Sequence, residues 1–245
     1  IGLERLDSVS RRYVTGESAW KTPFMTSGVK CPYTSTPSYR KMLCGVEDIP
    51  RTRACIVYSF GSQMNDSFEK EIRALGGGNH CEVHIFDPTI TPKCGTKWNW
   101  NFHKVGLGGV DGDAGGHTGS SSTSMFLQTL KTIMDNLNHQ WVDVLKVDIE
   151  GSEYPFFDDV IRRGIQHFKI GYIQVEYHVG GHGGWKIAPG KDYVSVLQQV
   201  STLEESGFRL LNGGVFPGSH NRIKWPTLKD IVELSFIHKD WSPQG

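Results

Sequence analysis

The stretch Leu145-Lys146-Val147-Asp148-Ile149-Glu150-Gly151-Ser152-Glu153 concentrates charge at the end of an apolar run. Asp148 and Glu150 lie two residues apart, so an extended backbone would aim both carboxylates the same way. Gly151 permits a sharp exit, and Ser152 is placed to cap a following helix. A second polar tip is Gln174-Val175-Glu176-Tyr177-His178, where alternation sets Gln174, Glu176 and His178 on one face. If the two runs are neighbouring strands, Asp148, Glu176 and His178 meet. Such a group suits a general base, His178, with Asp148 or Glu176 orienting it. It equally suits an oxygen-rich seat for a hard divalent ion, Mg²⁺ or Mn²⁺, held by Asp148 and Glu176.

A third constellation is Ser59-Phe60-Gly61-Ser62, followed by Asn65, Asp66 and Ser67. A glycine directly after a buried strand lets backbone approach a ligand, and the next helix offers its first amides. The three-glycine dinucleotide fingerprint is absent. Asp87 ends the next apolar run 26 positions after Gly61, the place from which an acid binds a ribose diol.

The elements that must position these residues follow from periodicity. Residues 1–50 are polar, interrupted by Pro23, Pro32, Pro37 and Pro50, and read as an irregular N-terminal extension that could cap the substrate side. Within it, Leu3, Leu6, Val9 and Tyr13 are spaced for one short helix, followed by loops with a second helix expected near Pro37 to Leu43. Residues 51–245 read as one catalytic domain. Strands are expected over Ala54–Phe60, Glu82–Phe86, Phe102–Leu107, Val142–Val147, Ile170–Tyr177, Phe208–Leu211 and Ile231–His238. Helices are expected over Ser67–Leu75, Ser124–Leu137, Tyr154–Arg163 and Tyr193–Glu205. Seven strands alternating with helices describe an α/β, Rossmann-like, doubly wound sheet. Ligands in such sheets sit beyond the carboxyl ends of the strands, where strand order reverses.

Composition narrows the partners. The 245 residues carry 26 Lys plus Arg against 26 Asp plus Glu, which argues against nucleic acid as the main partner. No apolar run approaches the ~20 residues of a membrane span. Glycine is the outlier, at 29 residues with seven between Gly106 and Gly119 and four between Gly180 and Gly184, a pattern of irregular backbone near a ligand. The five cysteines include no CxxC pair. Cys31 with Cys44, or Cys81 with Cys94, could bridge in an oxidising compartment, Cys55 reads as a buried thiol, and five reduced thiols are equally ordinary.

At this point a resemblance emerges. Val144–Glu153 (VLKVDIEGSE) resembles the signature of the FkbM-type S-adenosylmethionine-dependent methyltransferases. Cys55–Glu69 (CIVYSFGSQMNDSFE), Val83–Pro88 (VHIFDP) and His103–Gly108 (HKVGLG) are similar to a methyltransferase-like branch of that group. The resemblance spans roughly Ile56 to His238 and implies the class I methyltransferase fold, with the last strand antiparallel. It also implies S-adenosylmethionine as methyl donor and O-methylation of a sugar or other hydroxyl. Transferred to this chain, it sets Ser59, Gly61 and Ser62 beneath the donor and Asp87 on its ribose. Asp148 faces the sulfonium, and Asp111 or Asp113, in the loop after the third strand, reaches the adenine. The turn SFGS departs from the family's usual GxGxG.

The reading of function is therefore a hydroxyl-directed methyltransferase with a sugar or glycan acceptor stacked on loop tryptophans among Trp98, Trp100, Trp185 and Trp225. Alternatives are a small-metabolite O-methyltransferase, a glycan- or protein-binding module on a degenerate methyltransferase fold, and a nicotinamide oxidoreductase. Glycan work and paired cysteines point to the secretory pathway, with the cytoplasm as the alternative.

Overall fold

The computed structural model describes residues 24–25, 54–75, 81–91, 100–114, 125–179, 193–217 and 230–241. The helices expected before residue 44, the tract Gly180–Gly184, Cys31, Cys44, Cys94, Trp98, Trp185 and Trp225 lie outside the described residues.

The strands of the main sheet are β1 (Phe24–Met25), β2 (Cys55–Phe60), β3 (Cys81–Phe86), β4 (Asn101–His103), β8 (Val142–Val147), β9 (Ile170–Val179), β10 (Phe208–Pro217) and β11 (Asp230–His238). Three further strands, β5 (Gly106–Leu107), β6 (Gly112–Ala114) and β7 (Met125–Gln128), form a separate small sheet. The helices are α1 (Ser67–Leu75), α2 (Leu130–Asn136), α3 (Glu153–Arg162) and α4 (Tyr193–Glu205), with a 3₁₀ turn at Ile165–Phe168 before β9.

The main sheet runs β1-β10-β11-β9-β8-β2-β3-β4. β2, β3, β4, β8 and β9 are parallel, whereas β11 inserts antiparallel between β9 and β10. This is the seven-stranded doubly wound arrangement with an antiparallel last strand, plus one edge strand: β1 pairs antiparallel with β10. Strand order reverses between β2 and β8, so the carboxyl tips there flank the crevice that such sheets offer to ligands.

The central strands form because both their faces are covered. Every residue of β2 and of β8 is buried. Tyr58, Phe60, Leu145, Val147, Ile173, Val175 and Tyr177 alternate onto one face and pack with residues of α2, α3 and α4. Val57, Val83, Ile85 and Val144 take the other face, with Phe68 and Ile72 of α1, one helical turn apart, lying over them.

Three local expectations are corrected. The third strand is two: β4 pairs with β3, and after a break at Lys104-Val105 the chain leaves the main sheet so that β5 pairs with β7. The helix expected over Ser124–Leu137 starts only at Leu130, because Thr129 is its N-cap, accepting a bond from the Thr132 amide. Residues 125–128 are strand; Met125 and Leu127 match a helical stripe and a strand alternation equally well. Leu127 lies so close to Gly106 that a β-carbon there would fall 2.4 Å from its side chain. Finally, Cys81 is bonded to Cys55, not Cys94, since parallel pairing places the two in register at the start of β2 and β3.

Gly61, the residue after β2, explains how the crevice is built. It has φ +76°, and a β-carbon there would lie 1.7 Å from the carbonyl oxygen of Asp148. Its amide donates to the Phe86 carbonyl at 3.0 Å. The glycine thus lets the β2 loop press against the tip of β8. Gly61→Ala adds a left-handed penalty of about 1 kcal/mol and forces the two tips apart, so a total loss on the order of 3 kcal/mol is expected, read as a lower midpoint in denaturant. An unchanged midpoint would contradict the packing described.

Candidate active site at the carboxyl ends of the central strands

β8 stops at Val147, and the turn that follows contains Glu150 at φ +54° and Gly151 at φ +99° before α3 begins. A left-handed glutamate needs something to hold it. Glu153, with no exposed surface, supplies it: its Oε1 accepts the amides of Ile149 and Gly151, each at 3.1 Å. Ser152, expected to cap α3 with its hydroxyl, occupies the N-cap without a side-chain bond. The left-handed turn, rather than strand alternation, directs Glu150 towards His178.

The same Oε1 of Glu153 lies 3.0 Å from Nδ1 of His178. His178 is 2% exposed, and its Nε2 faces Glu150 Oε2 at 3.4 Å and Glu176 Oε1 at 3.5 Å. Asp148, Glu176 and His178 each bring one ligand-type atom within 4.8 Å of the others. The adjacency of β8 and β9 therefore joins the two polar tips. Burial alone would lower the His178 imidazole, but the hydrogen bond and charge of Glu153, with Glu150 and Glu176, outweigh it and push it up to about 9. Burial, reinforced by Asp148, Glu153 and Glu176 and opposed by His178, holds Glu150 above the ordinary carboxylate range.

Beneath this cluster lies Lys146, 1% exposed. Its Nζ donates to the carbonyls of Gly61 at 2.8 Å and Phe60 at 3.3 Å, and stands 3.6 Å from Asp148 Oδ2. It also faces the buried carboxylate of Glu69 in α1. That group is raised by burial, with Lys146 opposing. A polar row crosses four strands in register, Ser59, Lys146, Gln174 and Ser235. Gln174 bridges it to Glu233 at 2.6 Å, and Ser235 donates to Gln174 at 2.7 Å. Ser59 is wholly buried inside β2, beside Glu69, rather than on the loop surface.

The β2 loop completes the rim. Gln63 and Met64 are both left-handed, at φ +46° and +66°. The Gln63 amide donates to Asp87 Oδ2 at 2.9 Å, and its side chain reaches Glu150 Oε1 at 3.4 Å. Asp87 is 2% exposed and also accepts the Thr89 amide and hydroxyl on Oδ1, at 2.9 and 2.6 Å. Ser62 is buried, and its hydroxyl has no partner among the described residues.

Not every expected residue joins this group. Asp111 accepts the Thr129 amide at 2.6 Å and the Thr132 hydroxyl at 2.7 Å, bonds to the amino end of α2 that hold its carboxyl below the ordinary range. Trp100 donates to Asp66 and has the Arg73 guanidinium 3.9 Å above its ring, so that face is taken. Two residues central to the geometry, Glu153 and Glu69, carried no role in the sequence reading. Both sit in the first turns of helices, where an acid passes for routine dipole complement.

Replacing Glu153 separates its functions. Glu153→Ala removes the acceptor of two partly buried amides and is expected to cost roughly 2 kcal/mol or more, whereas Glu153→Gln keeps an acceptor oxygen and most of the stability. Thermal melts of both variants check this, and equal losses would contradict it.

With the geometry in hand, comparison with known proteins is informative. A family model described as a methyltransferase domain matches residues 36–206. The chain is similar to the probable methyltransferase-like protein 24 of Rattus norvegicus, 27% identical over 208 residues, covering 78% of this chain and 52% of that protein. The Homo sapiens counterpart is 26% identical over 209 residues, with the same 78% and 52% coverage. The chain thus spans about half the length of the curated relatives it matches. Among solved structures, it is similar to 1,6-didemethyltoxoflavin-N1-methyltransferase of Burkholderia thailandensis, which was solved with 1,6-didemethyltoxoflavin and S-adenosylhomocysteine. That likeness has a TM-score of 0.39 and 11% identity, over 77% of this chain and 72% of that one. Since the family model extends over more than half of its length, the chain belongs to the methyltransferase-domain family.

Proposed function

We propose that this chain is an S-adenosylmethionine-dependent O-methyltransferase acting on a hydroxyl of a sugar or glycan. The observation that carries the reading is the convergence of Asp148, Glu176 and His178 at the carboxyl ends of β8 and β9, beside the β2 loop. A hydroxyl must shed its proton as its oxygen attacks, whereas a neutral amine attacks first. A buried imidazole backed by a carboxylate answers the first need. Four carboxylates, Asp148, Glu150, Glu153 and Glu176, against Lys146 and His178 also disfavour an anionic acceptor and suit a cationic donor.

The donor would supply a methyl carbon activated by positive sulfur. The residues present fit it. Gly61 and Ser62 would lie beneath it, and the buried Ser62 hydroxyl has no partner among the described residues. Asp87, oriented by three bonds, would hold the ribose hydroxyls. Asp148 would face the sulfonium. Lys146 fixes the Phe60 and Gly61 carbonyls, so the loop is set before binding. In the reaction His178 takes the acceptor proton on Nε2, and Glu153 at Nδ1 holds the ring in place. Asp148 and Glu176 would hold a divalent ion, Mg²⁺ or Mn²⁺, and such an ion would supply Lewis-acid polarisation of the acceptor hydroxyl. The carboxylates that raise His178 are those whose charge a bound sulfonium or divalent ion would offset.

The Cys55–Cys81 bond favours an oxidising compartment, and we assign the protein to the secretory pathway on that ground. Among the described residues no helix is long and apolar enough to cross a membrane.

Two variants test the reading. His178→Ala should lower turnover by about 10²–10⁴-fold in a labelled-methyl assay over a glycan and metabolite panel, yet leave donor affinity within about twofold. Equal turnover would remove His178 as the base. Asp87→Ala should weaken donor binding by calorimetry, by about tenfold or more; unchanged affinity would place the ribose elsewhere.

A further inference from the structure

A second cluster of metal-type ligands lies at the opposite end of the sheet, and nothing in the methyl-transfer reading uses it. Glu82 and His84 are two apart on β3, near its amino end. His139 follows α2, which ends in a helix-stopping motif. The Asn138 amide bonds Asp135 O at 3.1 Å, the His139 amide bonds Met134 O at 2.9 Å, and Asn138 is left-handed at φ +55°. That motif turns His139 back over the sheet, opposite β3. Glu82, His84 and His139 then bring one ligand atom each within 4.8 Å of one another.

The orientation of both rings is the second observation. His84 directs Nε2 at Glu82 Oε1, 2.9 Å away, and its Nδ1 is tied to Nε2 of His103, on β4, at 2.9 Å. His139 directs Nε2 at the same Glu82 oxygen, 3.9 Å away, and its Nδ1 is tied to the Tyr58 hydroxyl at 2.7 Å. Each imidazole thus offers Nε2 inward and has its other nitrogen held by an outer partner, the arrangement that fixes tautomer and ring angle in metal sites. With Nδ1–H donating to His103 or to the Tyr58 oxygen, the Nε2 lone pairs are available to a cation.

We propose that Glu82, His84 and His139 form a binding site for a transition-metal dication of zinc type, with a fourth position open to solvent. Two imidazoles and one carboxylate match the ligand preference of Zn²⁺ rather than of Mg²⁺ or Ca²⁺. For metal–ligand bonds of about 2.05 Å, ligands on a tetrahedron stand roughly 3.3 Å apart. The separations of 2.9 and 3.9 Å from Glu82 Oε1 to the two Nε2 atoms bracket that value, and all three ligand atoms lie within 4.8 Å of one another. His84 and His139 are largely buried, but the Glu82 side chain is 47% exposed and opens the site to water. The ion would take the place of the proton shared by His84 and Glu82, and would join β3 to the turn between α2 and β8.

The test uses protein stripped by chelator, in a background of Asp148→Asn with Glu176→Gln so that the other acidic cluster cannot compete. Calorimetry with Zn²⁺ should show one equivalent bound, with a raised melting midpoint, and Co²⁺ should give the visible bands of a tetrahedral nitrogen–oxygen site. Glu82→Gln, a change at an exposed side chain, and His139→Gln should each weaken zinc by about tenfold or more, with circular dichroism confirming that both variants fold. Absence of binding to the folded protein, undiminished affinity in these variants, or a thiolate charge-transfer band in the cobalt spectrum would each overturn the site. Donor binding measured in the Glu82→Gln variant separates this result from the methyl-transfer reading, which does not involve Glu82.

Discussion

A single buried carboxylate oxygen, Oε1 of Glu153, organises the candidate site of this molecule. It accepts two backbone amides from a turn that would otherwise resist its left-handed glutamate, and it meets the ring nitrogen of His178. The turn places Asp148 and Glu150; the ring nitrogen places the proposed base. Because the same atom serves both, the acids of β8 and the histidine of β9 hold a fixed relation that neither strand alone could impose. An acid buried without exposure is expensive unless several donors converge on it, and here three do.

Around that oxygen the electrostatics are deliberately unbalanced. Lys146 compensates Asp148 from below and Glu69 from the side, while also binding the carbonyls of the β2 loop. The remaining acids crowd one imidazole. A fully neutralised cluster would be a structural ion-pair network. One that keeps a surplus of carboxylate at the mouth of a strand-order reversal is suited to receive positive charge. The second histidine cluster differs in kind, since the Nδ1 of each ring is held by a neighbouring imidazole or a phenol rather than by a carboxylate.

Much of this was legible in the residues. The apolar runs at Cys55–Phe60, Val142–Val147 and Ile170–Tyr177 are long and two-sided, so strand type and burial follow from composition. Once those strands are neighbours, period-two alternation alone brings Asp148, Glu176 and His178 together. What was hidden depends on register and on side chains folding back. Met125–Gln128 satisfies both periods, so only the Thr129 cap, with Asp111 closing it, decides where the helix begins. The pairing of Cys55 with Cys81 needs the offset between two parallel strands, which no local pattern encodes. Glu153 reads as an ordinary first-turn acid until the turn before it is seen to curl beneath its carboxylate.

The bond between Cys55 and Cys81 has a bearing on assembly as well. With a sequence separation of 26 residues it closes a covalent ring around β2, its glycine loop and α1. Cross-linking a ring of that size removes unfolded-state freedom worth on the order of 3 kcal/mol. Matching parallel strands across an intervening helix is ordinarily a slow, entropically costly step. Here the first crossover unit, the one that carries Gly61 and Ser62, stays locked in its own topology even when the rest of the sheet comes apart.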